Sequence, residues 1–208
     1  MDTVAFIQDV VAFIRERPLE ATSVLFSILY LVLAIRENLW CWPAAFLSST
    51  LTLVVVLGAR LYSEVALNGY YIAMAVYGWY QWQYGGRGRG AEELPIGVWP
   101  LKMHALAIGG SLALSVVIGW LMSRHTQAAF PYLDAFVTVS SVVTTYMVAR
   151  KLLENWLYWI VVDGLALYLY WQRELYLFVG LFALYLVLVV IGLVRWHRDW
   201  RAQSMVPA

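Results

Sequence analysis

Seven apolar blocks constrain this chain more than any other feature. They run Leu19–Ile35, Leu39–Leu57, Val65–Tyr84, Leu101–Met122, Phe130–Ala149, Asn155–Trp171 and Leu175–Val194, each about 17–22 residues long. About 20 apolar residues carry a helix across about 30 Å of hydrocarbon. A helix also satisfies its own backbone N–H and C=O groups, which lipid cannot do. The blocks therefore predict an all-α integral membrane protein with seven transmembrane helices. Composition agrees: 62% of the 208 residues are hydrophobic and 13% charged, against about 45–50% and about 25% in a soluble domain. Fourteen Lys and Arg scattered between apolar blocks make no phosphate-tracking surface, so no nucleic-acid partner is expected.

Residues 1–18 read differently. Asp2, Asp9, Arg15, Glu16 and Arg17 interrupt the apolar Val4, Phe6, Ile7, Val10, Val11, Phe13 and Ile14. That pattern is no signal-peptide core; it predicts an amphipathic helix on the bilayer surface, broken from the next block by Pro18. The connections set an orientation. Five Lys or Arg lie on the N-terminal side (Arg15, Arg17, Arg60, Arg124, Arg173) and nine on the other, including Arg36, Arg150, Lys151 and Arg195. The excess predicts a cytoplasmic C-terminus. In the connection from Gly85 to Pro100, the run Gly85 to Gly90 reads as a flexible basic cytoplasmic loop.

The chain repeats itself. Glu37-Asn38 recurs as Glu154-Asn155, 117 residues on, while Leu61-Tyr62, Tyr71, Gly78 and Trp82 recur as Leu175-Tyr176, Tyr185, Gly192 and Trp196, 114 residues on. A three-residue indel would join the two registers, and Trp42 would then correspond to Trp159. Four crossings separate the copies, so both point the same way. The expected organisation is a parallel repeat: a first three-helix bundle at 19–84, a linking helix at 101–122, and a second bundle at 130–196. Transporters built on parallel repeats hold substrate between the halves near the midplane.

Block six holds the lead constellation. Trp156, Trp159 and Asp163 fall at i, i+3 and i+7, on one helical face. Asp163 lies roughly 13 Å along the helix at ~1.5 Å per residue, and a carboxylate at that depth must face protein, water or a cation. Two indoles and an acid suit a flat aromatic cation. The alternatives are an Asp bonded to a neighbouring helix and Trp residues in an interfacial belt. Thr138, Ser141 and Thr145 continue from Asp134 as a polar stripe on block five. They suit ribose hydroxyls or an amide, or equally helix packing. Asn68 and Tyr71 on block three, Asn155, and Trp42 with Ser48, Ser49 and Thr52 on block two complete the candidates.

Other chemistry lacks its residues. Gly85 to Gly90 has no GK[ST] ending for a phosphate loop. No nucleophile elbow occurs. One cysteine, Cys41, and three separated histidines, His104, His125 and His197, form no metal-ligand set. No metal, cofactor or enzymatic activity is expected.

The run Ala149 to Asp163 resembles the PnuC-type nicotinamide riboside transporters, with Trp156-x-x-Trp159-x-x-x-Asp163 similar to their WxxWxxx[N/D] signature. Glu37 to Pro43 and Tyr77 to Trp82 resemble the first-half motifs of that family. The likeness spans about residues 20–196. It implies seven helices in a three-plus-one-plus-three order, related to the SWEET transporters, in the inner membrane. It implies facilitated diffusion of the vitamin B3 precursor nicotinamide riboside, trapping by a cytoplasmic kinase, and a homotrimer. Thr144-Thr145 stands where relatives often carry Gln. A transporter of the same fold for thiamine or another nucleoside-like vitamin precursor, or a membrane receptor or structural subunit that moves nothing, are the rival readings.

Overall fold

Prolines and left-handed turns divide the chain. The computed structural model describes residues 3–58, 62–86, 93–126 and 128–205, and these form eight helices. The amphipathic segment is α1 (Thr3–Glu16), packed on α2 and α8. Next come α2 (Pro18–Ile35), α3 (Cys41–Gly58), α4 (Tyr62–Tyr84), α5 (Leu101–His125), α6 (Pro131–Ala149), α7 (Asn155–Gln172) and α8 (Tyr176–Ser204). Pro18 and Pro131 open α2 and α6, where a missing N–H costs nothing. The helix α8 runs ten residues past the end of its apolar block at Val194. Arg195, Arg198 and Asp199 end the apolar pattern without ending the helix.

Five helices, α2, α3, α5, α6 and α8, are long and apolar enough to cross a membrane. The blocks expected at α4 and α7 fall short on composition. They carry Glu64, Asn68 and Gln81, and Asn155, Asp163 and Gln172, which lower the mean hydropathy.

Three helices end alike. After α2, α6 and α7 the residues Glu37, Lys151 and Glu174 take φ of 54, 55 and 57°. Each donates its N–H to the carbonyl three back, and the next residue reaches the carbonyl five back (Asn38 to Leu33 and Leu152 to Met147, both 3.0 Å). This double bond closes a helix on a left-handed residue. Glycine is the usual occupant; a side chain there costs roughly 1–2 kcal/mol.

The repeat has one register throughout. Residues 114 apart share environments: Glu37 and Lys151 in their turns, Gly78 and Gly192 in α4 and α8. Gly78 lies under the Trp42 ring and Gly192 under the Trp156 ring, so close that a Cβ would overlap either indole. Trp42 meets Trp82 edge-on at 5.4 Å and 87°, and Trp156 meets Trp196 at 5.3 Å and 85°. Trp42 therefore corresponds to Trp156, not to Trp159, and no indel is needed. The Glu-Asn match 117 residues apart was a coincidence of composition.

The halves exchange bonds in a matched way. Trp82 Nε1 donates to the Val148 carbonyl and Trp196 Nε1 to the Ala34 carbonyl, each at 3.1 Å. Helix α2 packs on α8 and α4 on α6, while α5 packs on α6. The core sits at this end, where Trp42, Trp82, Trp156 and Trp196 are all at most 4% exposed.

The second half of the 85–100 connection is ordered. Leu94 and Ile96 are buried in that core. Gly97 donates to the Lys151 carbonyl at 3.0 Å and accepts from the Leu153 N–H at 2.9 Å, as one parallel bridge. Leu94, Pro95, Ile96 and Trp99 make this segment a strap, while the Gly-Arg run expected to be flexible lies mostly outside the described residues. Arg60, Leu61, Arg87 and Arg89 lie outside the described residues.

Candidate functional site

A cavity of about 470 Å³ lies between α2–α4 and α6–α8, within the size range of small-molecule sites. The aromatic core closes one end. Glu64, Asp134 and Arg173 line the other, beside Phe178. Arg173 bonds Asp134 at 2.5 Å. Among the described residues no cation pairs with Glu64.

Eight of the ten candidates meet in this space: Trp42, Asn68, Tyr71, Thr138, Ser141, Thr145, Trp159 and Asp163 all line it. Trp156 and Asn155 do not. Trp156 is 1% exposed and seated on Gly192. Asn155 is 0% exposed, and its Nδ2 donates to the Leu152 carbonyl at 2.5 Å. Both stand in the first turn of α7, and helical side chains lean toward the N-terminus. That lean carries them below the cavity floor although Trp156 shares a helical face with Asp163.

Asp163 dominates the electrostatics. It is 5% exposed, and among the described residues no hydrogen bond or ion pair reaches it. A buried carboxylate without a partner is costly, so the site favours an incoming cation. Trp159 lies a turn away on the same wall and is only partly buried. Around them the hydroxyl donors are spent locally. Ser141 bonds the Val137 carbonyl and Thr145 the Ser141 carbonyl, both at 2.8 Å; Thr52 bonds the Ser48 carbonyl at 3.0 Å. Asn68 Nδ2 bonds the Glu64 carbonyl at 2.9 Å. Ser141 also pairs with Tyr71 and Thr52 with Ser23, so these groups offer a ligand mainly their remaining oxygen lone pairs. Positive charge and hydroxyl donors on a flat ring system match such a lining.

The frame is nearly symmetric and the lining is not. Ser27 bonds Tyr185, and 114 residues on from Ser27 and back from Tyr185, Ser141 faces Tyr71. Yet Ala45, Ser49, Glu64 and Asn68 stand where the second half has Trp159, Asp163, Phe178 and Phe182. At these four positions the first half offers one small apolar group, two small polar ones and the acid Glu64, and the second offers three rings and Asp163. Ser27, Tyr185, Phe178 and Phe182 are among the lining residues that reading the sequence passed over, with Ser23, Tyr30 and Tyr170. Carrying the 114 offset from Ser141 and Tyr71 finds the first two.

Comparison with known proteins gives a consistent picture. The family model described as nicotinamide mononucleotide transporter matches residues 17–198. The riboflavin/roseoflavin transporter RibM of Streptomyces davaonensis is 29% identical over 188 residues, covering 86% of this chain and 82% of that one. The nicotinamide riboside transporter PnuC of Escherichia coli K12 is 24% identical over 185 residues, 76% of each chain. The crystal structure of the vitamin B3 transporter PnuC shares the fold with a TM-score of 0.72 at 21% identity, over 96% of this chain and 90% of that one.

Proposed function

The chain belongs to the nicotinamide mononucleotide transporter family, as a PnuC-type multi-pass membrane protein, and from that premise we propose that it imports nicotinamide riboside by facilitated diffusion. The partnerless Asp163 beside Trp159 carries this reading. The pyridinium ring supplies the charge that the carboxylate lacks. Cation–π attraction to Trp159 adds about 0.5–2 kcal/mol. The ribose hydroxyls donate to Ser141, Thr145, Thr138 and Asn68, which would otherwise face an unmatched ligand at about 1–3 kcal/mol each. The family description names a mononucleotide. A phosphate dianion would meet Glu64, Asp134 and Asp163 against one arginine already bonded to Asp134, so the unphosphorylated nucleoside is the better ligand.

In this reading α2–α4, α5 and α6–α8 are seven crossings in a three-plus-one-plus-three parallel repeat of the inner membrane. Glu64, Asn68 and Asp163 line the cavity and Asn155 is buried beneath it, which accounts for part of the lower hydropathy of α4 and α7. The positive-inside excess puts the closed end and the C-terminus in the cytoplasm, and the cavity opens outward. A cytoplasmic kinase phosphorylates the product and a homotrimer is the assembled form, as the family resemblance implies.

A flavin is the second reading, favoured by the similarity to RibM over 86% of the chain. Riboflavin is neutral and would leave Asp163 uncompensated. Equilibrium binding of nicotinamide riboside, its mononucleotide, thiamine and riboflavin to the purified protein separates the readings. Nicotinamide riboside should bind tightest and the mononucleotide least. Tighter binding of riboflavin would replace the proposed substrate.

A further inference from the structure

Ties between the two halves concentrate at one end; along the cavity Ser27 bonds Tyr185 and the Tyr70 hydroxyl donates to the Val142 carbonyl at 2.8 Å. At the mouth Arg173 bonds Asp134 within the second half, and among the described residues no hydrogen bond or ion pair there joins the halves. At the closed end four ties cross: the indole bonds of Trp82 and Trp196, Arg150 Nη1 to the Tyr77 hydroxyl at 3.5 Å, and Lys151 Nζ to Glu37 Oε2 at 2.8 Å, the one ion pair among them. Glu37 and Lys151 are repeat equivalents, each held in a left-handed turn. The Lys151 side chain is 4% exposed and that of Glu37 18%. Lys151 Nζ also stands 5.2 Å from the Trp82 ring, and the strap holds its turn through Gly97.

We infer that Glu37 and Lys151 form the latch of the closed end, the tie that holds the cavity shut toward that face and that must part for substrate to leave there. The inference rests on the transport reading. A uniporter opens its cavity to each side in turn, so the halves must separate where they now touch. Deleting one partner strands a buried charge, but parting both into an opened, water-filled vestibule returns hydration to each. An ion pair therefore resists opening while dry and stops resisting once wet, whereas an apolar contact becomes more costly as water enters. The strained turns support this assignment: glycine would relieve φ at both positions, and both instead carry the side chains that meet. Glu37 and Lys151 are positioning residues, because the cavity lining includes neither.

Cys41 gives a native reporter. It is the sole cysteine, 0% exposed, and packed in the core of the closed end. In liposomes holding the full chain, N-ethylmaleimide should label Cys41 slowly in the wild type. In the double variant Glu37→Gln/Lys151→Met, which strands no charge, labelling should rise on the order of tenfold, a shift of about 1.4 kcal/mol. The charge exchange Glu37→Lys/Lys151→Glu should return it toward the wild-type rate. A loosened fold would also expose Cys41, so a second site reads the opposite end. With Thr138→Cys in a Cys41→Ala background, labelling from the mouth side should fall in the latch variant as Cys41 labelling rises in its own background. Both rates rising together, or Cys41 labelling unchanged in a variant that melts normally, overturns the latch. Reciprocal labelling, with a wild-type chain that fails to bind nicotinamide riboside, would keep the latch and discard the substrate.

Discussion

In the proposed reading Asp163, the buried carboxylate among the three that line the cavity, sets its selectivity. Asp163→Asn keeps the shape of the residue and removes its charge, so binding of nicotinamide riboside and thiamine should weaken on the order of tenfold or more while riboflavin changes little. Titration calorimetry on the purified variant checks this, and equal losses for charged and neutral ligands would make Asp163 structural. Trp159→Ala removes the ring but no tie between the halves, so it should weaken the cations by about 0.5–2 kcal/mol with an unchanged melting temperature. The indole seats behave in the opposite way. A Cβ at Gly192 would stand 2.5 Å from the Trp156 ring, inside a core with no room to give. Gly192→Ala and Gly78→Ala should each lose about 1–3 kcal/mol of stability through overpacking, seen as a lowered melting temperature before any change in ligand preference. Asp163 and Trp159 were legible in the sequence because charge in an apolar block is rare. The burial of Trp156 was not, because its helical phase matches that of Asp163 and only its height in the bundle separates them.

At the level of elements the sequence was most readable where period and length decide. The apolar blocks locate α2 through α7 to within a few residues, because hydrophobic length and proline positions are local properties. What ends α2, α6 and α7 was hidden. Left-handed caps usually announce themselves as glycine, and these carry Glu37, Lys151 and Glu174, tolerated for at least one pair by a contact more than 100 residues away. The strap was hidden for a similar reason. Two buried aliphatics, Leu94 and Ile96, are too few to make a periodic signal, and Gly97 finds its partners at Lys151 and Leu153. Gly97→Pro removes the N–H that donates to Lys151. It should destabilise the closed end by about 1–3 kcal/mol and raise hydrogen exchange at Leu153, whose N–H bonds the Gly97 carbonyl.

On the scale of the whole molecule, no group of three or more His, Cys, Asp or Glu placed to hold a metal ion occurs among the described residues. Under the proposed facilitated diffusion, uptake into liposomes should run down the substrate gradient alone and stop at equal concentrations. Accumulation driven by an imposed proton or sodium gradient would replace facilitated diffusion with coupled transport. The repeat was legible as a repeat, since Tyr71, Gly78 and Trp82 keep their partners at one spacing. Its register was blurred by a chance Glu-Asn match that only the paired indole seats resolve.

The crossed pair at the axis has an evolutionary corollary. Were two copies of residues 17–86 to assemble as a dimer, the glutamates would oppose each other; two copies of 128–205 would oppose their lysines. Either homodimer places like charges in a dry interface, whereas the mixed assembly neutralises them. Divergence at this one position thus commits each lobe to the other, and severing the gene into fragments should yield a working carrier only when both fragments are expressed together.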